Sequence, residues 1–509
     1  MPEQENTSKF PKQRIILIIS ILLVAICAVA AVAVVLLGEQ TEQPTEPTLE
    51  QTQSSSSTAP TTQPTETTVP PTTTEPTEPP VEKIASVTIS NMGDILMHGP
   101  VRVSFITKGY QDGDKWVEYE HDFSPIFQHI AHYISQSDYA VVNLETPLAG
   151  LENGRVYSGA IGSFNAPDVI LDGASGAGFD MFLTSNNHTY DCGSYGMHRT
   201  MEVIRDKNLA YLGTQMNEEE PDYKIVELSG IRIGMACYTY EVPNADPNHK
   251  SLNGKWVTAA DKPLVSSFDY YWLDTFYAQV EADIAAMKTA GVDQIILYTH
   301  WGDEYKLVNN ATQKQIAQKL CDLGVDVIVG GHPHVVQPVE LLTSTTDPEH
   351  ATVCLYSMGN AISNQRRQLM RLKTGHTEDG LIFNLTFSKY SDGTVILENA
   401  DIIPTWVNNN FQILPADGSL NPPAVPETPT EPSTEATEPS TEVTQTPTEP
   451  ATEPTVKAKP SYTPPDWELL ELQASQKRTM AIVGTGLEAV QTYLQANTAK
   501  VEAEIGVTG

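Results

Sequence analysis

Val325-Asp326-Val327-Ile328-Val329-Gly330-Gly331-His332-Pro333-His334 is an apolar run that ends in two glycines and two histidines. The run is apolar almost throughout rather than alternating, as in a strand covered on both faces, and such strands belong mainly to parallel sheets sheathed by helices. Sheets of that kind bind ligands beyond the carboxyl ends of their strands. His332 and His334 stand at that end, and two imidazoles at this spacing can grip a metal ion.

Four other β-type runs also end in polar clusters. Ser90-Asn91-Met92-Gly93 leads to Asp94, with His98 a further candidate ligand four residues on. Val141-Val142-Asn143-Leu144 leads to Glu145, just before a Thr-Pro break. A carboxylate at that depth needs a cation or a hydrogen-bonding partner. Leu183-Thr184-Ser185 leads to Asn186-Asn187-His188, with Asp191 close behind, and Tyr298-Thr299 leads to His300-Trp301-Gly302. Asn can lend a carbonyl oxygen to a metal while His keeps a proton to transfer. Singly, these clusters have ordinary readings: a Gly-Asp turn, an exposed Glu, an Asx turn, a packed histidine. Five together are hard to assign to coincidence.

The runs lie at residues 86–92, 139–144, 181–184, 231–238, 294–299, 325–329, 353–356, 381–387 and 394–403. Helical spacing appears at 125–135, 167–177, 196–207, 268–290 and 312–323. This alternation predicts an α/β domain over 81–415, with an antiparallel portion near its end where strand follows strand.

The rest of the 509 residues reads differently. After a cytoplasmic segment at 1–14, residues 15–37 form an apolar run, about 34 Å as a helix and enough to span a bilayer. Lys9, Lys12 and Arg14 precede it and no Lys or Arg follows until Lys83, which predicts a cytoplasmic N-terminus and an external main domain. A cleaved leader ending at Ala28-Val29-Ala30 competes with this reading, although the apolar run continues past it. Residues 38–80 and 416–463 are rich in Thr, Pro and Glu, and are expected to be a disordered stalk and linker. Residues 464–509 predict a small helical tail, interrupted near Gly484 and Gly486.

The formal net charge is −34, and the segments 39–82 and 422–455 carry eight and seven Glu with no Lys or Arg. Such a chain is a poor nucleic-acid binder. Cys192, Cys237, Cys321 and Cys354 show no CxxC spacing and are expected to be free thiols.

In their order, the five clusters resemble the calcineurin-like metallophosphoesterases. Gly93-Asp94-Ile95-Leu96, Asn143-Leu144-Glu145-Thr146, Asn186-Asn187-His188 with Asp191, His300-Trp301-Gly302, Gly331-His332-Pro333-His334 and Ser357-Met358-Gly359-Asn360 are similar to the CapA branch. The resemblance implies a four-layer α/β/β/α sandwich. It also implies two divalent metals (manganese, iron or zinc) held by Asp94, Glu145, Asn187, His300, His332 and His334, with Glu145 bridging. His188 and Asp191 would be catalytic, with His188 the proton donor. Asn143, Asn186, Trp301 and Asn360 would contact substrate.

The wider superfamily has a histidine two residues after the first Asp, where this chain has Leu96. The branch is associated with making bacterial capsule, in particular poly-γ-glutamate. The expected partners are the membrane, an anionic capsule polymer and membrane-bound capsule synthesis proteins. The expected activity is hydrolysis of an amide or phosphoester bond. A non-catalytic polymer-binding or export component and a general external metallophosphatase are the alternatives. Arg366 and Arg367 with Arg371 read either as holders of polymer carboxylates or as a solvated loop.

Overall fold

The computed structural model describes residues 80–112, 115–420 and 462–507. The expected membrane helix at 15–37 lies outside the described residues, as do the stalk up to residue 79 and residues 421–461 of the linker. Among the described residues no helix is long and apolar enough to cross a membrane.

The chain builds half of one sheet, then all of a second, and returns to finish the first. The first part comprises β1 (Lys83–Ile95), α1 (Gly99–Val103), the hairpin β2 (Ile106–Asp112) and β3 (Lys115–His121), α2 (Ser124–Phe127), α3 (Ala131–Ile134), β4 (Tyr139–Leu144), α4 (Ile170–Ala177), β5 (Met181–Leu183), α5 (Gly193–Asp206) and β6 (Ala210–Leu212). The second sheet follows with β7 (Tyr223–Leu228), β8 (Ile231–Tyr240), the small hairpin β9 (Ser251–Leu252) and β10 (Lys255–Trp256), β11 (Ser267–Phe268), α6 (Leu273–Thr289), β12 (Gln294–His300), α7 (Ala311–Asp322), β13 (Val327–Gly331), β14 (Val339–Thr343) and β15 (Ala351–Leu355). The return comprises β16 (Asn360–Ile362), β17 (Asp379–Tyr390), β18 (Val395–Val407) and β19 (Ile413–Pro415), and α8 (Asp466–Ile505) closes the described chain.

The first sheet runs β19-β18-β17-β1-β4-β5-β6 with β16 beside β1. The second runs β11-β8-β12-β13-β15-β14 with β7 beside β8. β1, β4, β5 and β6 are parallel, as are β8, β12, β13 and β15, while β17, β18 and β19 are antiparallel.

The period-two alternation of strands explains the layering. Ile296 and Tyr298 of β12 join Ile89 and Val141 of the first sheet in a core shared by both sheets. Their neighbours Ile295 and Leu297 face the other way, onto Val280 and Ile284 of α6 and Ile316 and Leu320 of α7. Val142 and Phe182 of the first sheet turn outward onto Ile170 and Leu171 of α4 and Met201 and Ile204 of α5. The result is a mixed α/β fold in which each sheet has helices on one face and the other sheet's core on the second. All four described cysteines are free.

Several expectations need correction. The helix expected at 268–290 starts only at Leu273, because Ser267 and Phe268 pair with β8. β7 and β14 escaped notice, since short edge strands with partly exposed residues carry little alternation. The folded body continues past residue 415: Ala416 and Leu420 are buried with Trp406 and Leu472.

The largest departure is the tail. It is one helix of 40 residues that runs through Gly484 and Gly486 without a break. Val483, Leu487, Val490 and Leu494 enter the core shared by the sheets, and α8 runs along β18 and the edge strand β14. A helix in that place covers an edge that would otherwise offer unpaired strand groups. Gly486 permits the approach, since a Cβ there would lie 1.9 Å from the Val339 carbonyl oxygen.

Two glycines a half-turn apart should therefore respond oppositely to alanine. Gly484 has open space around it, with only Met480 Cε at 3.8 Å. In urea unfolding, Gly484→Ala should leave stability unchanged or raise it by up to about 1 kcal/mol, whereas Gly486→Ala should lower it by about 1–3 kcal/mol through overpacking against backbone. Equal effects would show that α8 is not seated on Val339.

Candidate metal centre

The parallel strands β1, β4, β5, β12 and β13 deliver their carboxyl ends to one place. Register brings Asp94 beside Asn143 and His300 beside Gly331. Asp94, Glu145, Asn187, His188, Asp191, His300, His332 and His334 all come together there, and none is more than 7% exposed. His332 and His334 have φ values of 92° and 56°, a left-handed backbone that side chains other than glycine rarely adopt. Such outliers cluster where surrounding structure holds a functional geometry.

Glu145 stands at the middle. Its Oε1 is 3.3 Å from His300 Nε2 and 4.0 Å from His188 Nε2, and its Oε2 is 3.8 Å from His334 Nδ1. On one side His334 Nδ1 lies 3.2 Å from Asp94 Oδ2; on the other His300 Nε2 lies 3.0 Å from Asn187 Oδ1. One ligand atom each from Glu145, His332 and His334 falls within 4.8 Å of the others.

Charge reinforces the geometry. Burial, then the nearby Asp94 carboxylate, pushes the Glu145 carboxyl well up. Burial would push Asp94 up too, but His334 and His300 beside it hold it below its ordinary value. Burial pushes His300 down to about 3 and His332 well below the usual imidazole range, so both present neutral rings with lone pairs.

The residues fit a cation. Both oxygens of Glu145 and Nδ1 of His332 are buried without a hydrogen-bond partner. Such groups are costly to bury unpaired, and a divalent ion would satisfy all three at once. Mixed carboxylate, amide and imidazole donors suit manganese, iron or zinc.

The next ring of residues holds these side chains in place. Asn143 Nδ2 donates to Asp94 Oδ1 at 2.7 Å, and Asn186 Nδ2 donates to Asn143 Oδ1 at 3.2 Å and to the Leu144 carbonyl at 3.0 Å. Asn360 reaches His334, its Oδ1 3.1 Å from Nδ1. Trp301 is fully buried, its indole donating to the Tyr356 carbonyl. The four residues expected to contact substrate thus sit inside the structure, where Asn143 bonds Asp94, Asn360 bonds His334, Asn186 supports Asn143, and Trp301 packs in the outer core.

His188 Nδ1 is 2.9 Å from Asp191 Oδ2, which also accepts from the Phe164 amide at 2.9 Å. His98 and His188 both pack edge-on with Phe164, with ring centroids 5.3 and 4.8 Å from that phenyl, and His98 Nδ1 accepts from the Asn364 amide at 3.2 Å.

Arg366 and Arg367 fit neither expected reading. Arg366 is buried and donates to the carbonyls of Val407 and Asn408, while Arg367 pairs with Glu378 and Glu471. Both are internal ties. Only Arg371 of the three is exposed.

Sequence reasoning overlooked Tyr240, at the end of β8, whose ring centroid lies 4.7 Å from that of His332 and which stacks on His300 at 6.5 Å. It also overlooked Tyr305, at φ 62° and 6.0 Å from His334, and Asn253, whose amide lies 3.4 Å from His188 Nδ1. Tyr240 had a findable signal, since it ends another parallel strand. Nothing local marks the other two.

Residues 88–365 match the family described as bacterial capsule synthesis protein PGA_cap. The chain is 25% identical over 243 residues to the capsule biosynthesis protein CapA of Bacillus anthracis, covering 47% of this chain and 54% of that protein. It is 28% identical over 249 residues to the PGA biosynthesis protein CapA of Bacillus subtilis (strain 168), covering 47% and 57%. The chain spans about half the length of the curated relatives it matches.

The buried imidazoles set a pH dependence for the metal-free protein. Burial pushes His98 down to about 4 and His300 to about 3, with His332 also low. Below about pH 6.5 the unfolded chain takes up these protons and the folded chain does not, costing about 1.4 kcal/mol per pH unit for each imidazole. Carboxyls that burial raises, Glu145 and Asp326 among them, act oppositely, since the folded chain protonates them first, so the share of one imidazole is read by difference. In urea unfolding with a chelator, stability should fall more steeply from pH 6.5 to 4.5 in wild type than in His98→Gln, and equal slopes would contradict the lowered protonation of His98.

Proposed function

This chain belongs to the PGA_cap family of bacterial capsule synthesis proteins, and from that premise we propose that it is a metal-dependent hydrolase acting on an anionic capsule polymer of the poly-γ-glutamate kind. The observation that carries the reading is the buried, unpartnered carboxylate of Glu145 among His300, His332 and His334. Two divalent ions would be held, one by Asp94, Glu145 and His334 and one by Glu145, Asn187, His300 and His332. When bound, such ions lower the pKa of water and stabilise charge developing on oxygen.

The chain's own residues supply the proton chemistry. Asp191 Oδ2 accepts from His188 Nδ1, which sets the tautomer and turns Nε2 toward Glu145. Phe164 packs edge-on against that ring at 4.8 Å. Protonated at Nε2, His188 would hand its proton to the leaving nitrogen of an amide, or to the oxygen of an ester.

Residues 15–37 would anchor the chain by a single membrane span, with the N-terminus cytoplasmic and the catalytic domain outside. There it would meet the polymer and the membrane-bound capsule synthesis proteins. A second reading, a non-catalytic polymer-binding or export component, draws support from Leu96, buried where the wider superfamily has a histidine, and from His98 Nδ1 being taken by Asn364.

Metal content and turnover of poly-γ-glutamate and a generic phosphodiester, measured on the full chain beside His332→Ala and His188→Ala, separate these readings. His332→Ala should lose metal and activity. His188→Ala should keep metal and lose about 10²–10⁴ in rate. Metal without turnover would favour the polymer-binding reading, and no metal would overturn the hydrolase reading together with the metal site itself.

A further inference from the structure

The family match ends at residue 365, yet the turn that holds the His334 end of the site rests on residues beyond it. Asn360 grips His334 twice: its Oδ1 is 3.1 Å from the ring Nδ1, and its Nδ2 donates to the His334 carbonyl at 3.3 Å. One amide thus fixes both the ring and the backbone of a residue with φ 56°. The same Nδ2 donates to the Thr377 carbonyl at 3.0 Å, and Gly359 bridges Gly380, so the Asn360 turn rests on residues 377–380.

Two carboxylates of that segment are tied to α8. Asp379, 1% exposed, accepts from Arg478 Nε at 2.6 Å and Nη2 at 2.7 Å. Glu378 accepts from Arg367 Nη2 at 2.7 Å, and the same nitrogen reaches Glu471 of α8 at 2.8 Å. A forked guanidinium on a buried carboxylate fixes orientation as well as supplying attraction. The route from α8 to His334 is short and continuous: Arg478, Asp379 and its neighbours, Asn360, His334. By contrast, the α8 pair Lys500–Glu349 is largely exposed and touches no part of this route.

We propose that α8 is a working part of the metal site, with Arg478 a positioning residue that acts through the Asp379 segment and Asn360 on His334. The inference rests on the metal-site reading above and adds that the linker-borne tail completes the site. Asp379 unpaired would be a buried charge without its partner, and the segment under Asn360 would shift to relieve it. His334 would then lose its single orientation, as ligands do when the groups behind them are removed.

Mn²⁺ binding by equilibrium dialysis on the full chain at 20 °C tests this, comparing wild type, Arg478→Gln, Arg478→Lys and Lys500→Ala, all with matching far-UV circular dichroism. Arg478→Gln should weaken binding at least about tenfold, Arg478→Lys should restore part of it, and Lys500→Ala should match wild type. If Arg478→Gln lowers the unfolding temperature but leaves Mn²⁺ affinity unchanged, α8 is a structural brace only and the inference fails while the metal site stands. A wild type that binds no Mn²⁺ sinks the metal-site reading instead. The positioning claim is then decided by the ¹⁵N imidazole resonance of His334, assigned by its loss in His334→Gln. A shift in both Arg478 variants and none in Lys500→Ala sustains the positioning, and no shift in any overturns it.

Discussion

A fully buried carboxylate with both oxygens unpartnered, Glu145, is the constraint on which the rest depends. Left alone in a medium of low polarity, an ionised carboxylate is costly, and proteins pair it, protonate it or give it a metal. Without a metal, burial pushes Glu145 toward the protonated form, while the imidazoles around it form a cluster that could hold a metal instead. His300 stands near one oxygen and His334 near the other, and burial keeps His300 neutral. The two sheets exist in a form that makes this possible, because parallel strands end side by side and leave their last side chains facing a common space.

Around that centre the polar residues form a graded support. Asn143, Asn186 and Asn360 spend their amides on Asp94, on one another and on His334. Amides suit the task, since each offers a donor and an acceptor without adding charge. Asp191 does the same for His188, where a carboxylate is needed to fix which ring nitrogen carries the proton. The acidity of the folded domain is thus arranged locally, with half-buried arginines on buried carboxylates where the support must be stiff: Arg478 on Asp379, and Arg367 on Glu378.

The strand ends were legible in the sequence because an apolar run that stops at Asp, Glu, Asn-His, His or His-x-His breaks its own pattern at the place where a ligand would sit. The helices between them were legible from spacing, to within a few residues. What could not be read was contact at a distance. Gly484 and Gly486 look alike as helix breakers, and only the Val339 carbonyl, 147 positions earlier than Gly486, explains why a residue without a Cβ is needed there. Arg366 and Arg367 look like a solvated pair until β18 and α8 supply their partners. Trp301, beside a ligand in sequence, points to the opposite face of its strand, as the alternation of side chains requires once His300 faces the site.

The most direct measurement is anomalous X-ray scattering from crystals of the protein grown with Mn²⁺. The expected result is anomalous density in contact with the Glu145 carboxylate and flanked by His332 and His334, with the Glu145 side chain in its present place. Ordered crystals with no anomalous density at Glu145, or with that carboxyl hydrogen-bonded to another protein group instead, would contradict it.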